Sequence, residues 1–169
     1  IDRSGSMDDE GKLGAAKEAA KMFVDLMRTR DRVGVVAFHE WASVISPLTK
    51  IDPAGQVITD TQDAIEDIEI RGWTSIGDGL LKGQEQLSAE GSDARTQLMF
   101  LLSDGMENRP PDVEDVLPGI VDDGIVVHTV GLGSGADQDL LQSIADQTEG
   151  EYRFSPSAAE LQDIYLATS

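Results

Sequence analysis

Short apolar runs at residues 33–38, 97–102 and 125–130 alternate with stretches whose apolar residues recur at helical spacing, and this alternation limits the fold more than any other feature. A nearly continuous apolar run of that length fits a strand covered on both faces, and strands separated by helices return to the same edge of a sheet, so they pair in parallel. The implied class is α/β: a doubly wound, mostly parallel open sheet flanked by helices on both faces. Leu13, Ala16, Ala20, Phe23, Val24 and Met27 mark a first helix of about five turns, with Lys12, Lys17, Lys21 and Asp25 on its wet face. A run at 41–48 follows the 33–38 strand so closely that only a hairpin fits, which makes it an antiparallel edge strand, and Pro47 agrees with an edge. Helices are expected at 54–70, 76–87, from Pro110-Pro111-Asp112 to Val121, at 137–147 and at 158–166, with a last strand at 152–154.

Two ends of this pattern carry chemistry. In Ile1-Asp2-Arg3-Ser4-Gly5-Ser6, the oxygens of Asp2, Ser4 and Ser6 alternate, so a chain leaving a strand in extended form turns all three to one side. One carboxylate and two hydroxyls are too little charge to hold a divalent cation alone, so further oxygen ligands are required. Thr74, in the loop Gly72-Trp73-Thr74-Ser75-Ile76-Gly77, and Asp104, where the 97–102 strand ends, supply them. Asp2 and Asp104 both stand at strand carboxyl ends, where ligands bind in open parallel sheets. The competing role for Asp2 and Ser4 is helix N-capping, which leaves Ser6, Thr74 and Asp104 unexplained.

These residues resemble the von Willebrand factor type A domains, bacterial members included, which carry a metal-ion-dependent adhesion site. The family pattern is Asp-x-Ser-x-Ser, a Thr in a Gly-containing loop and an Asp closing a later strand, matched here by Asp2, Ser4, Ser6, Thr74 and Asp104. Similarity extends through Val33-Gly34-Val35-Val36-Ala37-Phe38, residues 44–49, Val130-Gly131-Leu132-Gly133 and residues 160–165. The resemblance implies strand order 3-2-1-4-5-6 with one antiparallel edge strand, and Mg²⁺ or Mn²⁺ at the site, with Ca²⁺ possible. It also implies capture of an Asp or Glu from a protein partner, with a last helix that slides as the ligands exchange. Some bacterial relatives serve instead as intracellular adaptors beside ATPase partners. The chain departs from the family where Arg71 and Trp73 flank Gly72 and where the hairpin turn carries His39-Glu40-Trp41. Both places are expected on the metal face, so Trp73, His39, Trp41, Met106, Glu107, Asn108 and Arg109 are candidate rim residues for the partner.

The remaining features narrow the function. A chain of 169 residues fits one domain over 1–169, and the apolar strand expected before Asp2 lies upstream of Ile1, so a longer parent protein is anticipated. With 13 basic and 32 acidic residues the net charge is −19, which argues against nucleic acid and favours a divalent metal and a basic or cationic partner. No apolar run approaches a membrane span, so no direct membrane insertion is expected. The absence of cysteine excludes disulfides and thiolate chemistry without deciding the compartment, for which an extracellular or cell-surface setting is slightly favoured over the cytoplasm. A Mg²⁺-dependent phosphoryl-transfer enzyme would need a second Asp where Ser4 stands, and no lysine sits in a motif for the phosphoryl group. His39 in a turn and His128 in a buried strand do not form a triad, and Gly131-Leu132-Gly133-Ser134-Gly135 lacks dinucleotide-loop spacing, so no enzyme is expected.

Overall fold

Gly11, at φ 68°, turns the chain from a 3₁₀ segment, Gly5–Gly11, into the first helix, α1 (Lys12–Asp25). The computed structural model describes residues 1–90 and 96–155. A hairpin follows, β1 (Arg32–Phe38) and β2 (Ala42–Lys50), then helices α2 (Gln56–Glu66) and α3 (Ile76–Glu90). Strand β3 (Leu98–Ser103), helix α4 (Val113–Asp122), strand β4 (Val126–Leu132), helix α5 (Gln138–Gln147) and strand β5 (Tyr152–Ser155) complete the alternation. The helix expected at 158–166 lies outside the described residues.

β1 and β2 pair antiparallel, with Phe38 opposite Ala42 and Arg32 opposite Lys50, and β3, β4 and β5 pair in parallel. Among the described residues, backbone hydrogen bonds from the start of the chain join the two sets. Phe38 N donates to Ile1 O at 3.0 Å and Arg3 N to Phe38 O at 2.9 Å, while Asp2 N donates to Leu102 O at 2.8 Å. Residues 1–3 thus act as the stub of a central strand, parallel to β1 through Asp2 and Phe38. Counting the stub as the first strand, the spatial order is 3-2-1-4-5-6 with the antiparallel strand at the edge, as the family resemblance implied.

Neighbouring strand residues point to opposite faces, and the core divides accordingly. Ala37, Leu102 and Val130 join Ala16, Ala19, Val24 and Ile65 under α1 and α2. Phe38, Leu101 and Val127 join Ile76, Leu80, Val113, Ile120, Leu141 and Ile144 under α3, α4 and α5. Both faces are covered, which is why the strands read as continuous apolar runs rather than alternating ones.

Two helices are shorter than their periodicity implied. α1 ends at Asp25 because Leu26 and Met27 close tighter turns onto Phe23 O and Val24 O. The helix expected at 54–70 begins at Gln56 because Asp52 accepts Ala54 N at 3.0 Å and Val57 N at 2.8 Å, which converts the preceding residues into a capping turn. No helix among the described residues is long and apolar enough to cross a membrane.

Candidate metal centre

The hydrogen bonds that hold residues 1–3 between β1 and β3 bring Asp2 to the carboxyl end of the sheet, beside the end of β3. Asp2 Oδ1 accepts Ser4 N at 2.8 Å, and Oδ2 accepts the Ser103 hydroxyl at 2.6 Å. Ser103 Oγ in turn accepts Gly105 N at 2.9 Å, which folds the chain back just after β3 and sets Asp104 beside Asp2. The turn requires glycine: Gly105 has φ 72°, and a Cβ there would lie 2.9 Å from Asp137 O. Asp104 Oδ1 accepts Met106 N at 3.3 Å, and its backbone O accepts Asp137 N at 2.8 Å, so both the carboxylate and the main chain of Asp104 are held. The Ser4 and Ser6 hydroxyls lie 3.2 Å apart.

Thr74 is bound into the same cluster by backbone contacts. Gly5 N donates to Gly72 O at 2.9 Å and Arg71 N to Arg3 O at 2.7 Å, tying the 71–75 loop to the Asp2–Ser6 segment. From the other side, Asn108 Oδ1 accepts Thr74 N at 3.0 Å, and Asn108 N and Arg109 N donate to Thr74 O at 2.9 and 3.0 Å. Thr74 is buried, as are Asp2, Ser4, Ser103 and Asp104.

Both carboxylates are fully buried. Burial pushes the Asp2 carboxyl above its ordinary value; the bonds from Ser103 and Ser4 pull it back, and the Asp104 charge pushes it up again. Two buried carboxylates side by side call for positive charge. Among the described residues, the side-chain ion pair to this cluster comes from Lys12, whose Nζ lies 3.3 Å from Asp104 Oδ2 and 3.2 Å from Ser6 O. One ammonium against two carboxylates leaves a deficit that a divalent ion would fill, and the surrounding donors are hard oxygens, as Mg²⁺, Mn²⁺ or Ca²⁺ require. Among the described residues no three His, Cys, Asp or Glu side chains group to hold a metal, so this hydroxyl-rich set differs from a carboxylate cage.

The expected rim divides. Trp73, Trp41 and Met106 are exposed, at 54%, 59% and 50%, and the Arg109 guanidinium lies 4.5 Å over the Trp73 ring. His39 is not a rim residue. It is only 5% exposed because Ser75 N donates to its carbonyl at 2.7 Å, drawing it beneath the Thr74 loop, and its ring packs against Trp41 at 5.0 Å. Glu107 is also occupied: its carboxylate accepts Gly77 N at 3.0 Å and Val113 N at 3.1 Å, bracing the starts of α3 and α4. Asn108 is exposed, yet its side-chain oxygen is committed to Thr74 N.

Two residues of the cluster escaped sequence reasoning. Ser103 orients Asp2, and its only signal was adjacency to Asp104 at the end of an apolar run. Lys12, assigned to the wet face of α1, turns inward with its side chain 10% exposed. That departure has a cause: Lys12 is the first residue of the helix, beyond the reach of face periodicity, and its charge partner is 92 residues away.

The sequence profile of the von Willebrand factor type A domain matches residues 1–167. An uncharacterized protein of Synechocystis is 32% identical over 163 residues, which cover 95% of this chain and 37% of that protein. Calcium-activated chloride channel regulator 1 of Bos taurus is 31% identical over 160 residues, 91% of this chain and 16% of the regulator. The solved von Willebrand factor type A protein of Catenulispora acidiphila is 25% identical, with a TM-score of 0.84 over 99% of this chain and 40% of that one. The chain therefore spans well under half of each.

Proposed function

The chain belongs to the von Willebrand factor type A domain family, and from that premise we propose that it is a divalent-metal-dependent protein-binding module and not an enzyme. The observation that carries the proposal is the convergence of buried Asp2 and Asp104 with the Ser4, Ser6 and Thr74 loops at the carboxyl end of the sheet. In this reading Asp2, Ser4, Ser6, Thr74 and Asp104 hold Mg²⁺ or Mn²⁺, directly or through water. A set so poor in carboxylates leaves the ion electrophilic and able to take an acidic oxygen from outside. The partner is a protein presenting Asp or Glu, with Trp73, Trp41, Met106 and Arg109 as the surrounding contact surface.

This chain's own groups do the positioning. Ser103 and the Ser4 amide orient Asp2, Met106 N and the Asp137 amide fix Asp104, and Asn108 clamps Thr74. Few ligands and small hydroxyl donors favour Mg²⁺ and Mn²⁺ over Ca²⁺, which takes more oxygens at longer range. Calorimetric titration with Mg²⁺ and Mn²⁺ should show one site that Asp2→Asn and Thr74→Ala lose; equal binding by all three proteins would sink the assignment. The non-enzyme reading fails if the metal-loaded protein releases phosphate from phosphomonoesters and Asp2→Asn does not.

A further inference from the structure

Lys12 opens α1 directly after the 3₁₀ segment, its amide already paired with the carbonyls of Asp9 and Met7, and the first turn of α1 holds no acidic residue to partner its side chain. A lysine there ordinarily points into water, yet this one is nearly covered and directs its ammonium at Asp104 Oδ2 and the Ser6 carbonyl. Asp104 is one of the residues read above as metal-holding, so the ammonium stands against a carboxylate oxygen a divalent ion would use, and its contact with the Ser6 backbone carbonyl holds it beside that residue.

We propose that Lys12 is a built-in competitor for the metal: its ammonium neutralises Asp104 when no ion is bound, and it weakens divalent-metal affinity by opposing the incoming charge. The inference rests on the metal-binding reading above and adds a determinant of affinity outside the Asp-x-Ser-x-Ser pattern. Two effects act in the same direction. Without a metal, the ion pair compensates one of two buried carboxylates, so the empty protein is stabilised. With a metal, a monovalent and a divalent cation share one carboxylate, so the loaded protein is destabilised. Binding reports the difference between the two states, so removal of Lys12 must tighten it. The stem of Lys12 also fills space at the start of α1, which makes methionine the closest uncharged replacement.

The test is titration of the 169-residue protein and its Lys12→Met, Lys12→Gln and Lys12→Arg variants with Mg²⁺ and Mn²⁺, alongside melting in EDTA and in saturating Mg²⁺. Met and Gln should each tighten metal binding about tenfold or more, whereas Arg, which keeps the charge, should stay within about threefold of the parent. Melting in EDTA should fall for Met and Gln, and the gain in melting temperature on adding Mg²⁺ should grow. If Lys12→Met fails to fold, Lys12→Gln decides alone. Unchanged or weaker binding by the uncharged variants, in a parent that does bind metal, overturns this inference and leaves the metal site standing. A parent that binds neither ion overturns both.

Discussion

His39 and His128 show how a single residue's surroundings set its response to pH. His39 sits under the Thr74 loop with its Nδ1 buried and without a hydrogen-bond partner among the described residues. Its imidazolium is disfavoured first by burial and then by Arg3, which holds its pKa below the ordinary histidine value. His128 is likewise held low by burial, and its Nδ1 accepts Glu151 N at 3.1 Å, a bond that a protonated Nδ1 would reverse into two facing donors. Because the unfolded chain takes up protons at these sites before the folded one does, stability rises with pH across the window. It is therefore fully present above the ordinary histidine pKa, near 6.5, and is lost as pH falls below that value toward the lowered folded ones. Melting temperatures measured between pH 7 and pH 5 should fall less steeply for a His39→Asn/His128→Asn double variant than for the parent. Parallel slopes would show that neither ring contributes. The sequence placed His128 inside an apolar run, where its ring is half-buried. It misled for His39, whose burial depends on a carbonyl contact with Ser75 that no local pattern encodes.

At the scale of elements, strands and helices were legible because periodicity is local, whereas the contacts that shape the site join loops far apart in sequence. The strand order was implied by the family resemblance rather than by any local pattern, and the stub at Ile1–Arg3 takes the central place in that order. Nothing periodic links residue 74 to 108, or 107 to both 77 and 113, so the clamp built by the loop after β3 emerges only from the fold. Through that loop, Asp104, Thr74 and the starts of α3 and α4 are one mechanical unit. Asn108→Ala should leave the Thr74 amide without its acceptor at a cost of about 1–3 kcal/mol. The same variant should weaken metal binding more than Glu107→Gln does, because Asn108 touches the Thr74 loop directly and Glu107 braces the helices behind it. Urea unfolding of the metal-free protein gives the first quantity and Mg²⁺ titration the second. Equal metal affinity in Asn108→Ala and the parent would show that Thr74 needs no clamp.

For the whole molecule, a net charge of −19 stands in tension with a site read as capturing a carboxylate. The two are reconciled if range separates them: the domain's field draws in a partner that is basic overall, and the metal then takes one acidic side chain at contact distance. Arg109 over the Trp73 ring, with Met106 nearby in the chain, provides the short-range part, an exposed aromatic and cationic surface beside the Thr74 loop. Long-range attraction governs association and is screened by salt, whereas desolvated aromatic contact governs dissociation. A partner retained on the Mg²⁺-loaded domain and released by EDTA should therefore associate more slowly as ionic strength rises from about 0.01 M to about 0.15 M, where the Debye length shrinks from about 30 Å to about 8 Å. Trp73→Ala should leave that salt dependence and the metal affinity unchanged, yet speed dissociation by about tenfold or more, as expected for loss of an anchoring tryptophan. Stopped-flow association and dissociation rates measure both. If dissociation from Trp73→Ala matches the parent, Trp73 lies outside the interface, and the exposed ring beside Thr74 needs another explanation.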